Sequence, residues 1–456
     1  MDTTEDTKKL FIKTYGCQMN DRDSTAVGED LIKEGYVLTD TEFDADLIIF
    51  NTCSVRDQAE RKALGKIGNM RMLREKNPNL KIGVIGCMAQ SKGDELTKQF
   101  GHVDIVVGTD QLHKIPQLLK QSEDENRQVT STNLSREVLD RLAKHPEGAM
   151  TAQVSIMRGC NEYCTYCIVP FTRGQEKSRS IGSVVAECKA LVDKGVREIM
   201  LLGQNITAYG IIERRKERQH DKEVSPFADL LSELVKVEGL KRIRFTSPHA
   251  RYFNDHLIDV IADNPKICRG IHFPLQSGSD RLLKIMRRRH TGQDFLDLVR
   301  RFQAKCPDVR FSTDLIVGFP GETEEEFNMT RDICNEIDFE QQFIFRYSKR
   351  KNTPAANMPN QIDEETKMVR NKILLADLAE RLEKKNDLCV GTEQEILVEG
   401  PSKRNSERWS GRTTHHKIVI FEPKDNVKVG DLVNIKITHT TQHSLYGDYA
   451  SHSEND

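Results

Sequence analysis

Three cysteines in the segment RGCNEYCTYC have the spacing of a metal-cluster loop. Cys160, Cys164 and Cys167 follow the pattern C-x3-C-x2-C. Three thiolates on a short loop can hold three irons of a [4Fe–4S] cluster and leave the fourth iron open. An open iron can chelate a ligand such as the amino and carboxylate groups of S-adenosylmethionine (SAM). A structural zinc site prefers four ligands, usually in two separated pairs, so a zinc-binding or incidental loop is the alternative interpretation.

A second group of three cysteines is spread over the first part of the chain. Cys17, Cys53 and Cys87 each follow a short apolar run that ends in turn residues. These runs alternate with amphipathic stretches, a pattern that predicts an open parallel sheet with helices. Ligands of such sheets bind beyond the carboxyl ends of the strands. We therefore expect the three thiols to meet at one sheet edge, where they could hold a second cluster; three merely buried cysteines are the alternative.

Composition places further bounds on the function. The chain has 456 residues, a net charge of −2 and 11 cysteines, so we expect two or three domains. The segment 1–9 is polar rather than signal-like, and no apolar run is long enough for a membrane span. We therefore expect a cytoplasmic protein without a membrane partner, whose cysteines bind metal or are buried. Nucleic-acid binding would depend on local basic patches, because the overall charge is balanced.

The predicted fold class is α/β with three parts. Residues 8–121 form the predicted open parallel α/β sheet domain, and residues 122–150 are polar and are interpreted as a linker. Residues 151–362 contain six strand–helix units, which predict a partial (β/α)6 barrel rather than a closed eight-fold one. The cysteine loop follows the first strand of that barrel.

The last part of the chain changes its pattern. Residues 363–390 have strong helix propensity and are predicted to form a connecting helix. Residues 391–450 then show period-two strands, EQEILVEG, GRTTHHKIVIFE and DLVNIKIT, which predict a small antiparallel β-barrel. Small barrels of this kind often bind looped RNA, and the basic residues Lys403, Arg404, Arg408, Arg412 and Lys417 would be its contacts. A purely structural module is the alternative.

Several long segments carry a family resemblance. They are YGCQMN (15–20), NTCSVRDQAE (51–60), IGCMAQ (85–90), SIMRGCNEYCTYCIVPFTRGQEKSRS (155–180), LLGQN (201–205), PLQSGSDRLLKIMRR (274–288) and STDLIVGFPGETEEEF (312–327). On these segments the chain resembles the methylthiotransferase branch of radical-SAM enzymes. Residues 395–404 and 410–413 are similar to the TRAM module, which binds RNA. The resemblance extends over about residues 8–449.

The resemblance implies two [4Fe–4S] clusters and SAM as cofactors. Cys160, Cys164 and Cys167 would bind the SAM-cleaving cluster, and Cys17, Cys53 and Cys87 would bind an auxiliary one. Further SAM or substrate contacts would come from Tyr166, Gln204, Gln276 and Ser277. A plain role at the barrel rim is the alternative for these four residues. The segment RRRHT (287–291) departs from the family pattern, which affects only the expected substrate detail.

The same resemblance implies the reaction and its partners. One SAM would methylate a sulfur, and another would be cleaved to a 5′-deoxyadenosyl radical that activates an adenine C–H bond. The substrate would be the anticodon stem-loop of a tRNA that carries N6-(dimethylallyl)adenosine, which would be thiomethylated at C2. An electron donor such as a flavodoxin or ferredoxin would supply electrons. We expect no catalytic side-chain acid–base pair, because the cofactors would supply the chemistry.

Two alternatives remain open at this point. A methylthiotransferase could act on threonylcarbamoyl-adenosine tRNA or on a ribosomal-protein aspartate. The segment GCQMN (16–20) favours the dimethylallyl-adenosine branch instead. A non-catalytic Fe–S or zinc RNA-binding protein would explain the cysteines and the last domain, but not the six-unit barrel with its open-iron loop.

Overall fold

The computed structural model describes residues 7–55, 57–135, 148–216, 221, 223–402 and 404–453. Within these residues the α-helices are α1 (Gln18–Lys33), α2 (Asp57–Lys76), α3 (Cys87–Lys92), α4 (Asp94–Gln99), α5 (Ile115–Asp124), α6 (Val169–Arg173), α7 (Ile181–Asp193), α8 (Ile211–Lys216), α9 (Pro226–Leu234), α10 (Asp255–Asp263), α11 (Asp280–Ile285), α12 (Gly292–Lys305), α13 (Glu324–Ile337) and α14 (Glu364–Asp387). The predicted three-part α/β architecture is confirmed.

The first part is a parallel sheet of six strands. Its strands are β1 (Lys9–Tyr15), β2 (Val37–Leu38), β3 (Leu47–Thr52), β4 (Lys81–Gly86), β5 (Ile105–Val107) and β6 (Val129–Ser131), in the order β2-β1-β3-β4-β5-β6. All six residues of β3 are buried. A strand that is buried along its whole length is typical of a parallel sheet covered on both faces. Accordingly, Phe50 packs on one face with α2, and Ile49 packs on the other face with α1.

The predicted linker 122–150 needs a correction at its beginning. Helix α5 continues to Asp124, and Val129–Ser131 pair in parallel with β5 as the sixth strand. The strand is only three residues long and one of them, Val129, is fully apolar and buried. It therefore has too little apolar periodicity to be recognised without its neighbour β5. Residues 136–147 of the predicted linker lie outside the described residues.

The six predicted barrel strands are all present. They are β7 (Thr151–Ser155), β10 (Glu198–Leu202), β11 (Arg242–Phe245), β12 (Gly270–His272), β13 (Arg310–Val317) and β14 (Gln341–Arg346). They form two parallel three-stranded sheets, which a bridge between Ile243 and Ile267 brings side by side. The edges β7 and β14 are not paired with each other in the described sheets, as expected for a partial barrel. A short ladder of β8 (Met157–Arg158) with β9 (Lys177–Ser178) stands beside the first strand.

The last part is a closed five-stranded barrel. Helix α14 leads into it, as predicted, and its strands are β15 (Glu393–Pro401), β16 (Trp409–Arg412), β17 (Ile418–Phe421), β18 (Leu432–Thr440) and β19 (Ser444–His452). Two details differ from the prediction. The segment GRTTHHKIVIFE contains a turn between two strands, and β19 was not predicted because its residues SLYGDYASH have weak apolar alternation. The barrel closes through a parallel pair, β17 with β19, while its other pairs are antiparallel.

The closed barrel docks onto the amino-terminal ends of the larger barrel's strands. Arg242, the first residue of β11, is 2% exposed and donates to the carbonyl of Arg412 and to Glu395 Oε1 (3.2 Å). Arg244 donates to the carbonyls of Thr413 (2.6 Å) and Thr414 (2.9 Å). Charge-assisted hydrogen bonds from buried guanidinium groups are strong and directional. The last domain therefore lies at the end of the barrel opposite the carboxyl ends of its strands.

Candidate functional site

The three isolated cysteines meet at one edge of the first sheet. Cys17 stands two residues after β1, Cys53 directly after β3, and Cys87 directly after β4. Strands β1, β3 and β4 are neighbours in the sheet and run in parallel. Their carboxyl ends therefore coincide, as the sequence predicted. Cys53 and Cys87 are buried, at 1% and 3% exposure, whereas Cys17 is exposed.

Two asparagines and a glycine shape this edge. The side-chain amide of Asn20 donates to Asn51 Oδ1 (2.9 Å), and the Cys17 backbone N–H donates to Asn20 Oδ1 (3.2 Å). Gly86 has a φ of +93°, and a Cβ there would lie 2.5 Å from Asn51 Oδ1 and 2.6 Å from the Thr52 carbonyl oxygen. Only glycine fits such a position. The buried Asn20–Asn51 pair thus fixes the chain after Cys17 and before Cys53, and Gly86 fixes the turn directly before Cys87.

Cys17 and Cys53 lie close enough to Cys87 to influence the ionisation of its thiol. Burial raises the pKa of the Cys87 thiol to about 11; Arg173 acts in the opposite direction, and Cys53 and Cys17 add to the rise. A buried thiol loses its proton readily only when a cation compensates its charge. Iron would supply that charge, and its binding would release protons.

The C-x3-C-x2-C loop is held at its base by the β8–β9 ladder. Gly159 has a φ of +77°, and a Cβ there would lie 2.1 Å from the Gln175 carbonyl oxygen, so the turn requires glycine. The Gly159 N–H donates to Gln204 Oε1 (2.6 Å) at the end of β10. Further along, Thr165 Oγ1 donates to the carbonyl of Ile285 (3.0 Å), the last residue of α11. The loop is therefore fastened to two separate parts of the barrel, after β10 and at the end of α11.

The thiols of this loop are also brought together. Cys160 and Cys164 are 9% and 8% exposed, and Cys167 is half-buried. Burial raises the pKa of Cys167 to about 12, and Cys164 adds to the rise. Burial likewise raises the pKa of Cys160, to which Cys167 and Cys164 contribute. The loop thus forms a second compact group of thiols, in which Cys160 and Cys167 stay protonated at neutral pH without a metal.

Asp23 forms ion pairs across the boundary between the first domain and the barrel domain, which carry the two groups of thiols. It lies on α1 of the first domain, and its carboxylate pairs with Arg158 before the cysteine loop and with Arg173 Nη1 (3.1 Å) after it. Burial alone would raise the pKa of Asp23, but Arg158, Arg173 and Arg22 together hold it below its ordinary value. Arg173 also interacts with Cys87 and Cys17. The guanidinium of the barrel domain therefore reaches the thiols of the first domain.

We expect Asp23→Asn to destabilise this domain interface by about 3–5 kcal/mol, because it leaves two guanidinium groups without their carboxylate. The midpoint of urea denaturation, followed by circular dichroism, should fall, and hydrogen exchange in α1 and α6 should accelerate. The matched control is Asp30→Asn on the same helix. Its pair with Lys33 (3.3 Å) lies at the surface, so its loss should change stability by less than about 1 kcal/mol. Equal midpoints for the two variants would contradict the role of Asp23.

The four other predicted contacts occupy different surroundings. Gln204 is engaged with the Gly159 N–H. Tyr166 is half-buried and packs against the cluster that contains Met286 and Phe319. Gln276 has a left-handed φ of +72° and bridges to β13, while Ser277 is fully buried and its Oγ accepts the Ser279 N–H (3.2 Å). All four lie around the mouth of the barrel; their contact with SAM stays a prediction.

The two groups of thiols fit iron–sulfur clusters, and buried N–H groups near them fit a polar ligand. Both groups consist of soft thiol donors, which suit iron–sulfur clusters. Three buried N–H groups nearby, on Arg173 Nη2, Arg288 Nε and Asn205 Nδ2, lack a hydrogen-bond partner within the described part of the chain. Such groups are rare in proteins unless a ligand or water completes them. No three His, Cys, Asp or Glu side chains among the described residues are arranged to hold a single metal ion; a four-iron cluster is larger, so this finding leaves the ligand assignment a prediction.

The predicted basic patch of the last domain is partly paired internally. Arg412 contacts Glu399 (2.7 Å), Arg408 contacts Glu422 (3.7 Å), and Lys417 contacts Glu340 (3.0 Å). Lys403 lies outside the described residues, and Arg404 is exposed.

Among the helices that the structure describes, none is both long and apolar enough to span a membrane.

Sequence reasoning missed three residues of this site. Asp23, Arg173 and Arg288 face the thiols, but the sequence assigned none of them a role. Arg288 stands in a run of three arginines that resembles an ordinary solvated surface, and the contacts of Asp23 arise only between domains. A signal did exist for Asn20, three residues after Cys17, since this spacing is typical of a helix-capping residue.

Family models match all three parts of the chain. A model described as Uncharacterized protein family UPF0004 matches residues 9–108, the Radical SAM superfamily matches residues 154–334, and the TRAM domain matches residues 387–450. The first two matches contain the two cysteine groups. A chain from Akkermansia muciniphila named tRNA-2-methylthio-N(6)-dimethylallyladenosine synthase is 45% identical, over 96% of this chain and 98% of its own. A Vibrio vulnificus chain of the same name is 41% identical, over 97% of this chain and 92% of its own.

The chain belongs to the tRNA-2-methylthio-N(6)-dimethylallyladenosine synthase family. This membership confirms the predicted family. Solved structures agree with the fold of the synthase chain. The radical S-adenosylmethionine methyltransferase TsrM from Kitasatospora setae, with tryptophan and a SAM analogue bound, superposes with a TM-score of 0.57 at 15% identity, over 87% of this chain and 79% of its own. The cobalamin-dependent radical enzyme OxsB superposes with a TM-score of 0.51 at 12% identity, over 83% of this chain and 56% of its own. These likenesses show the radical-SAM fold alone.

Proposed function

We propose that this protein is a tRNA methylthiotransferase that converts N6-(dimethylallyl)adenosine of tRNA to its 2-methylthio derivative. Given that the chain belongs to this family, the proposal rests on one structural observation. There are two separate groups of three thiols, one in each domain, and Arg173, which stands six residues after the loop thiol Cys167, reaches Cys87 and Cys17 of the other domain. A purely RNA-binding protein has no need of this arrangement.

The proposed cofactors are two [4Fe–4S] clusters and SAM. When bound, they supply the radical chemistry and the methylated sulfur that is transferred. Cys160, Cys164 and Cys167 would hold one cluster, and Cys17, Cys53 and Cys87 the other. The raised pKa values of Cys87 and Cys167 mean that these thiols give up their protons as iron binds.

The protein's own residues orient the reactants and exclude water. Gln204 holds the turn before Cys160 by accepting the Gly159 N–H. Asp23 holds the two domains together through Arg158 and Arg173, so that it fixes the separation of the two thiol groups. Such positioning is decisive, because a misplacement of about 1 Å can lower a rate about 100-fold. Tyr166, Gln276 and Ser277 line the barrel mouth and are our candidates for SAM or substrate contacts.

The last domain would bind the substrate rather than react with it. We propose that its exposed basic residues contact phosphates of the anticodon stem-loop. Arg408 is held by Glu422 across 3.7 Å at the surface, and such pairs are weak enough to exchange for a phosphate. An electron donor such as a flavodoxin or ferredoxin would complete the system. The methylthiotransferase chain itself is rich in thiols, which suits the reducing cytoplasm, where we propose that it acts.

The decisive experiment is nucleoside analysis of tRNA. The protein is expressed in a strain that lacks its own methylthiotransferase, and the tRNA is digested and examined by mass spectrometry. We expect 2-methylthio-N6-(dimethylallyl)adenosine to reappear. A matched strain that also lacks the dimethylallyl group should show no product, because the proposed substrate is then absent. Thiomethylated threonylcarbamoyl-adenosine or a modified ribosomal aspartate would assign a different substrate, and no thiomethylated product of any kind would contradict the enzyme assignment.

A further inference from the structure

Arg288 places a buried cation against one of the loop thiols. It is 6% exposed, and its Nη1 lies 3.9 Å from Cys164 Sγ, within the range of a hydrogen bond to sulfur. Its Nη2 donates to the Pro274 carbonyl (2.9 Å), and its backbone N–H donates to the Leu283 carbonyl (2.9 Å). Two side-chain contacts and one backbone contact therefore hold Arg288 in one position beside Cys164.

The backbone around Arg288 is built to turn this side chain inward. Arg287 and Arg289 have left-handed φ values of +61° and +56°, and both are exposed. Such conformations are unfavourable for residues other than glycine and persist only where the surrounding structure imposes them. Two of them flank the one buried arginine of the run. This strained segment therefore presents Arg288 to the cysteine loop and its two neighbours to solvent.

The two histidines that face Arg288 do not add a second positive charge beside it. His249 and His290 face it, and both have a lowered pKa, through burial first and then through Arg288 itself; that of His290 is about 4. Both imidazoles are therefore neutral near pH 7. The acidic or polar groups that face it are Tyr166, Cys164 and Glu162. A guanidinium group stays charged under all these conditions.

We propose that Arg288 is a positioning residue that raises the reduction potential of the cluster held by Cys160, Cys164 and Cys167. This inference rests on the proposed function. When an external one-electron reductant reduces that cluster, its charge becomes more negative by one, while Arg288 keeps its proton. A positive charge and a hydrogen bond at a ligand sulfur stabilise the more negative state. Arg288 thereby makes the electron transfer that precedes SAM cleavage more favourable.

The test compares Arg288→Gln with Arg289→Gln, which removes an exposed arginine one residue away. Reconstituted full-length proteins are titrated anaerobically with dithionite, and the reduced cluster that responds to SAM is followed by electron paramagnetic resonance. At a fixed applied potential, Arg288→Gln should lower the ratio of reduced to oxidised cluster on the order of tenfold. For a one-electron couple this corresponds to about 59 mV. Arg289→Gln should titrate like the wild-type protein.

Other outcomes decide the remaining possibilities. A wild-type potential in Arg288→Gln, with full iron content, would overturn the proposal. If that variant lost its cluster, Arg288→Met would decide, because methionine keeps the apolar stem but has neither the charge nor the N–H donors. A fall of the same ratio would support the tuning role, and an unchanged ratio would overturn it and leave Arg288 a purely structural contact. Absence of any SAM-responsive cluster in the wild-type protein would instead contradict the proposed function itself.

Discussion

Replacing Cys160, Cys164 and Cys167 together with alanine is expected to abolish formation of 5′-deoxyadenosine and to leave about half of the bound iron. The wild-type protein should bind about eight irons, as two four-iron clusters with three thiolates each. Removal of one complete thiol group removes one site and leaves the other, which lies on a different domain. Iron analysis and chromatography of the products after reconstitution under anaerobic conditions measure both quantities.

The control is a triple variant of three cysteines outside the two groups. Cys188, Cys268 and Cys306 are 0%, 2% and 3% exposed and lie in the same barrel domain. Their replacement by alanine should leave iron content and deoxyadenosine formation near the wild-type values, although packing is weakened. Deoxyadenosine formation that survived in the Cys160/Cys164/Cys167 variant would remove the basis for assigning SAM cleavage to this loop.

Cys53→Ala is expected to separate radical formation from product formation. The loop thiols remain intact in this variant, so cleavage of SAM should continue and deoxyadenosine should still appear. The thiol group of the first domain loses its most buried member, and the transferred sulfur loses its defined position. Because a misplacement of about 1 Å can lower a rate about 100-fold, thiomethylated adenosine should fall by at least about 100-fold. Both products are measured in the same reaction with tRNA.

The matched control for this variant is Cys334→Ala. Cys334 is fully buried in α13 of the barrel domain and belongs to neither thiol group. It should lose some stability and still make the thiomethylated product. If a folded Cys53→Ala protein gave product at the wild-type yield, the first-domain thiols would be buried side chains without a role in sulfur transfer, and the methylthiotransferase proposal would fail with them.

Local pattern was sufficient for the architecture and for the membership of both thiol groups. The short apolar runs before Cys53 and Cys87 predicted β3 and β4, because strands buried on both faces are mostly apolar. A parallel sheet brings the ends of neighbouring strands to one edge, so the meeting of Cys17, Cys53 and Cys87 followed from topology. Pattern failed where it was weak, at the three residues of β6 and in β19, because their pairing partners stabilise them more than their own periodicity.

The sequence by itself determined the three-part α/β organisation, the six candidate ligands and the family resemblance, because apolar periodicity and cysteine spacing are local properties of the chain. Only the tertiary structure decided which charges face those thiols. Asp23 meets Arg158 and Arg173 across 135 and 150 residues of chain, and Arg288 reaches Cys164 across 124 residues. The tertiary structure also placed the last domain at the end of the barrel opposite the cysteine loop. Electrostatic contacts of this kind depend on distance in space and on burial, neither of which a residue's neighbours in sequence encode.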